Sequence, residues 1–137
     1  MRFLLDANIL SETVKLAPSV KVRDWFVMNE GDFWVSVITL GEIEKGILTM
    51  ADGRRRRELM VWFLHTKKRF EDRTLVVDMN IMAHWAALFA VNEERGRRLP
   101  IFDSILAATA QCHGLTIATR NIRDFPAGVA LVNPWEA

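Results

Sequence analysis

Hydrophobic residues in this chain form two patterns, short unbroken runs and longer stretches at helical spacing. The first run, Phe3-Leu4-Leu5, stops abruptly at Asp6. A run that does not alternate with polar residues suits a strand buried on both faces, as in parallel sheets covered by helices. Four more short runs are Phe33 to Ile38, Leu75-Val76-Val77, Leu115 to Ala118 and Val129 to Val132. Their aromatic and β-branched content predicts further strands.

Helical patterns fill the intervals. A short helix is expected through Ile9, Leu10 and Thr13. Pro18 is expected to open a second one, since proline suits the first helical position. Its inward residues would be Val22, Trp25 and Phe26, and Glu30-Gly31-Asp32 would end it. Thr39 is expected to cap a third helix through Leu40, Ile43, Ile47 and Leu48. After the Asp52-Gly53 turn, a fourth helix begins in four arginines and carries Leu59, Trp62, Phe63, Thr66 and Phe70 as one amphipathic stripe. Asp78 should cap a fifth helix bearing Ile81, Trp85, Leu88 and Phe89. Gly96 to Pro100 should form a loop. A sixth helix spans Phe102 to His113, with Gly114 at its C-terminal stop. Ala107, Ala108 and Ala110 permit close packing against a sheet. Alternation of strands and helices implies an α/β fold with a parallel sheet of about five strands, helices on both faces and right-handed crossovers.

Composition narrows the class. The chain has 137 residues, half of them hydrophobic, which suits one domain spanning 1–137 with a full core. No apolar run approaches the roughly 18 residues of a membrane span, and Asp6 ends the first run too early for a signal peptide. Cys112 is the only cysteine, so no internal disulfide forms and a reducing cytoplasm is the expected location. The net charge of +1 identifies no partner. Basic residues do cluster, at Arg54 to Arg57, at Lys67-Lys68-Arg69 and at Arg95 to Arg98. His65 and His84 have no ligand companions at metal spacing and are read as packing or surface residues.

Four acids stand out by position: Asp6 and Asp124 after the first and fourth strands, Glu42 and Asp103 in expected first turns of helices. In a doubly wound sheet these places meet at the carboxyl edge, where ligands bind. Two of them have a plainer role open, Asp6 as a helix cap and Glu42 as a partner of the positive helix end. Four carboxylates in one cleft repel one another, which raises some of their pKa values. A divalent cation is the simplest compensation, and an all-oxygen set without Cys or His favours Mg²⁺ or Mn²⁺ over zinc. Such an ion suits phosphoryl chemistry, and basic clusters outside an acidic pocket suit a polyanionic substrate.

Four stretches carry a family resemblance: Phe3 to Asn8 with Ser11-Glu12, Ser36 to Gly46, Leu99 to Ala110, and Thr119 to Phe125. Together they resemble PIN-domain proteins, particularly the FitB-like branch of the VapC-type toxins, over nearly the whole chain. The resemblance implies a three-layer α/β/α domain and a Mg²⁺- or Mn²⁺-dependent endoribonuclease. It implies a homodimer held inactive by a cognate small DNA-binding antitoxin, as part of a larger hetero-oligomer. The family's metal-site residues fall on Asp6, Glu42 and Asp103. Relatives place the fourth acid at the position of Asn121 or that of Asp124; only Asp124 is charged here and takes the role. Asn8 and Ser11 would steady Asp6, with Thr119 and Asn121 in support. The expected interface lies around Trp25, Phe26, Leu48, Leu59, Trp62 and Phe63. A PIN-like module that only binds RNA or protein, and a DNA-directed nuclease, are the alternatives. A haloacid-dehalogenase-like Asp-x-Asp start, a P-loop and a receiver-type Lys are all missing.

Overall fold

The computed structural model describes residues 1–136. Strand β1 (Phe3–Leu5) is the centre of a five-stranded sheet. It is flanked by β2 (Phe33–Ser36) and β4 (Thr116–Ala118), with β3 (Thr74–Leu75) and β5 (Leu131–Val132) at the edges. The order is β3-β2-β1-β4-β5, and every neighbouring pair is parallel. The chain winds outward from β1 to β3, then returns to the other side of β1. That reversal opens a crevice at the carboxyl ends of β1 and β4.

Alternation along β1 divides the core. Phe3 and Leu5 face a cluster with Ile9, Phe26, Ile43 and Phe63, contributed by α1 (Ala7–Thr13), α2 (Val20–Met28), α3 (Val37–Leu48) and α4 (Arg54–Arg69). Leu4 faces the opposite way, onto Leu106, Ala107 and Ala110 of α6 (Ile101–His113), with Leu88 of α5 (Met79–Glu94) packed behind. The result is three layers, helices on both faces of the sheet. Leu4 has no exposed surface, and truncating it to Ala would cost about 2–5 kcal/mol. Gly114 ends α6 at φ 65°, in the left-handed region where glycine carries no Cβ penalty. Among the described residues no helix is long and apolar enough to cross a membrane.

Several boundaries differ from those expected. The strand anticipated to Ile38 ends at Ser36, whose Oγ accepts from the Ile38 N–H at 3.0 Å and starts α3 three residues early. Thr39 is therefore no cap; it is buried inside α3, its hydroxyl donating to the Leu5 carbonyl at 3.3 Å. Pro18 lies outside α2, whose cap is Ser19. β3 and β5 are two residues each, and Val76 is exposed where a strand residue was expected. The expected caps at Asp78 and Gly114, the start of α4 in the arginines and the turn at Asp52-Gly53 are all present.

Candidate active site

Asp6 follows β1 at the crevice and is buried. Its anticipated role as a helix cap is observed. Oδ1 accepts from the Ala7 N–H at 2.8 Å, capping α1, while Oδ2 accepts from the Thr119 hydroxyl at 2.7 Å. Thr119 follows β4, so this bond crosses the reversal point of the sheet. Asn8 donates from Nδ2 to Asp6 Oδ2 at 3.4 Å, and its Oδ1 accepts from the Arg120 N–H at 3.3 Å. Asn121 contributes its backbone N–H to the Thr119 oxygen at 3.0 Å. Of the four expected supporting residues, Asn8 and Thr119 thus tie the ends of β1 and β4 together, and Asn121 steadies Thr119. Ser11 is the exception: among the described residues it makes no hydrogen bond to Asp6 and instead lines a neighbouring groove with Ala7 and Glu42.

The other three acids arrive from three directions. Glu42 sits in the second turn of α3, not the first, because Ser36 starts that helix early. Interaction with the helix end therefore does not account for it. Its Oε1 is fully buried and, among the described residues, has no hydrogen-bond partner. Asp103 is in the first turn of α6, as expected. Asp124 ends a 3-10 turn (Ile122–Asp124) after β4 and is half-buried.

Asp6, Glu42 and Asp103 share one electrostatic environment. Burial pushes the Asp6 carboxyl up, the charge of Asp124 adds to this, and the hydrogen bonds from Thr119, Ala7 and Asn8 oppose it. Burial, then the charge of Asp6, raises Glu42 against the pull of Lys45. Asp103 is pushed up to about 7, by burial first and then by Asp6, Asp124 and Glu42. Desolvation and like-charge repulsion act together here, as carboxylates sharing a cleft require. Among the described residues, no three His, Cys, Asp or Glu side chains are drawn tightly enough to ligate one ion as they stand. The acids feel one another's charge without closing into a ligand shell.

The basic clusters are largely committed to the fold. Arg54 bonds Glu58 at 2.9 Å and Arg57 lies 3.8 Å from Asp52. Arg55 donates to the carbonyl of Val14, the residue that caps the C-terminal end of α1, and Arg56 to those of Ile47 and Leu48 at the end of α3. These are the sites where carbonyls lack helical partners and a cation is favoured. Arg97 donates to the carbonyls of Arg123 and Phe125 at 2.7 and 2.8 Å, on either side of Asp124. Nothing in the sequence separates Arg97 from Arg95 and Arg98, so its role was not legible there. Arg69 pairs with Glu30. His65 and His84 are exposed, as expected.

A family model, the PIN domain, matches residues 3–127. The chain belongs to the PIN-domain family. Among its curated relatives is the plasmid stability protein StbB of Pseudomonas syringae pv. tomato, 34% identical over 98% of this chain and 99% of that protein. Toxin FitB of Neisseria gonorrhoeae is 31% identical over 96% and 97%. The VapC ribonuclease Y4jK of Sinorhizobium fredii is 31% identical over 97% of both chains. In the solved FitAcB structure from Neisseria gonorrhoeae, one chain is 30% identical with a TM-score of 0.91, covering 98% of this chain and 99% of that one. These relatives place this PIN domain in the VapC and FitB branch.

Proposed function

We propose that this PIN protein is a metal-dependent endoribonuclease that hydrolyses RNA phosphodiester bonds as the toxin of a toxin–antitoxin pair. The observation that carries the proposal is the buried, unpartnered Glu42 Oε1 inside a group of mutually repelling carboxylates. A buried acceptor without a donor is costly, and a cation relieves that cost and the repulsion together. Asp6, Glu42, Asp103 and Asp124 would hold it, and their oxygen-only donor set fits Mg²⁺ or Mn²⁺. When bound, such an ion supplies a water of lowered pKa and polarises the phosphoryl oxygen.

The chain's own residues do the rest. Thr119 and Asn8 fix the rotamer of Asp6, so its carboxylate is preorganised. Asp103 carries its proton up to about pH 7 and releases it when a cation is captured. Ribonuclease and toxin are the names of relatives, Y4jK and FitB, and full-length similarity at about a third identity supports carrying the activity over.

An antitoxin partner is supported by the FitAcB neighbour and by a groove across α1, α3 and α4. Its apolar part is formed by Ile43, Met50, Leu59 and Trp62, and Glu42 lies at the acidic site. A basic antitoxin side chain lying there would reach the carboxylates. The test of the catalytic reading is Asp6→Asn. At equal folded fraction it should abolish Mg²⁺- or Mn²⁺-dependent RNA cleavage and the calorimetric signal of metal binding. Cleavage at the wild-type rate by that variant refutes the assignment.

A further inference from the structure

From the arginines around the acid cluster we infer that Arg120 and Arg123 form a subsite for an RNA backbone phosphate adjacent to the cleaved one. The inference rests on the nuclease reading of that cluster.

Four carboxylates repel a polyanion, so binding it requires cations beside them. Arg54 to Arg57 are engaged with helix ends or carboxylates and Arg97 with the loop of Asp124, while Arg95 and Arg98 are exposed but do not line the cleft beside Asp124. Arg120 and Arg123 differ. Among the described residues neither is paired with a carboxylate, and both are exposed on the loop that follows β4. They line a polar cleft of about 420 Å³ with Asn121, Asn133, Glu136 and Asp124. Asp124 belongs to this cleft and to the acid cluster, so the two are contiguous.

Arg120 is also preorganised. Its guanidinium lies 5.1 Å from the Trp135 ring centroid. Stacking of this kind restrains the planar group and leaves its N–H edge free for an anion. Its backbone N–H is bonded to Asn8, which itself bonds Asp6, so the arginine is registered to the acid centre. Asn133 is held in turn, its Oδ1 accepting from the Trp135 N–H at 3.0 Å. Glu136 is exposed beside them and opposes an anion.

The experiment measures binding of a labelled single-stranded RNA by fluorescence anisotropy across a salt series, with the wild-type protein in EDTA so that nothing is cleaved. Each phosphate contact to a single strand contributes about 0.7 to the slope of log affinity against log salt. Arg120→Ala and Arg123→Ala should each weaken binding several-fold and flatten the slope by about that amount. Arg120→Lys should keep the slope, Glu136→Gln should tighten binding, and Arg54→Ala should change neither. Arg123 is exposed, so its variant reports even where an Arg120 variant folds poorly. Unchanged slopes in both alanine variants, or no RNA binding by the wild type, overturn the subsite. Wild-type binding with the expected variant effects, but no cleavage after Mn²⁺ is restored, supports the subsite and removes the nuclease reading instead.

Discussion

Arg97 donates a 2.8 Å hydrogen bond to the carbonyl oxygen of Phe125, joining the α5–α6 connection to the loop that carries Asp124. A second bond, to Arg123, grips the same loop on the other side of the acid. Asp124 has only a short 3-10 turn beneath it, held by the Asp124 N–H to Asn121 and the Phe125 N–H to Ile122. A turn of this kind is weak alone; burial of Phe125 in the core anchors one end of it, and Arg97 adds a polar restraint on both sides of the acid. Arg97→Ala should speed amide exchange at Asp124 and Phe125 while leaving β1 and β4 protected, and should lower stability by about 1–2 kcal/mol. Cleavage should fall, and the loss should not add to that of Asp124→Asn, because both act through one carboxylate. Additive losses would mean that Arg97 acts elsewhere.

The Thr119 hydroxyl is the shortest of the bonds to the Asp6 side chain. Thr119→Val keeps the shape and removes the donor. Asp6 Oδ2 is then left with the longer contact from Asn8, and a buried acceptor in that state costs about 1–3 kcal/mol. The Thr119 bond lowers the Asp6 pKa against burial, so its loss should raise that pKa further. Denaturant unfolding and a carboxyl-resolved NMR titration check both effects. Asn8→Ala should cost less in each.

Asp103 couples the site to pH with a definite sign. Its folded pKa is about 7 against an ordinary 3.8. Between those values the folded protein binds more protons than the unfolded chain, so stability falls as pH rises. The raised carboxyls of Asp6 and Glu42 act in the same direction. Glu12 is lowered by Lys15 and by the Ser19 N–H, which confines its opposite contribution to pH below about 4.5. The metal-free protein should therefore be more stable at pH 5 than at pH 8. Asp103→Asn should flatten that dependence and exceed the wild type in stability at pH 8, while losing cleavage. Unfolding curves across pH 5–8 in EDTA decide this. A wild type most stable at pH 8 would contradict the coupling.

The layered sheet was legible because an unbroken apolar run such as Phe3-Leu4-Leu5 has few other uses. The grouping of the acids was legible because strand ends and helix starts converge at the carboxyl edge of such a sheet. Boundaries set by a single side-chain bond were not. Ser36 and Thr39 are both cap-forming types, and it takes the Ser36 bond to the Ile38 N–H and the long-range bond from Thr39 to Leu5 to show which one is inside the helix. The interface list failed in part for a related reason. Phe26 and Phe63 are core residues, and Trp25 stacks on Phe33 at 5.2 Å between centroids. Leu48 is exposed, while Leu59 and Trp62 line the groove. Aromatic abundance cannot separate these cases, since a core and an interface bury the same residue types.

The structure shows a second apolar surface, on α5, that the expected interface around Trp25 to Phe63 did not include. On α5, Met79, Met82, Ala83, Ala86, Ala87, Ala90 and Val91 recur at i, i+3, i+4 and i+7 and are all exposed. Such a stripe on a helix normally faces another element, and its small residues let a second helix approach closely. The groove with Met50, Leu59 and Trp62 lies on the opposite layer. We therefore predict that two copies of the chain pair through α5 and that an antitoxin segment would lie in the groove. Ala86→Glu should convert a dimer to a monomer in sedimentation at micromolar concentration and leave antitoxin capture measurable. Leu59→Glu should do the reverse, weakening capture while the dimer persists. Loss of both properties in each variant would show one continuous interface, and a dimer indifferent to Ala86→Glu would remove α5 from it.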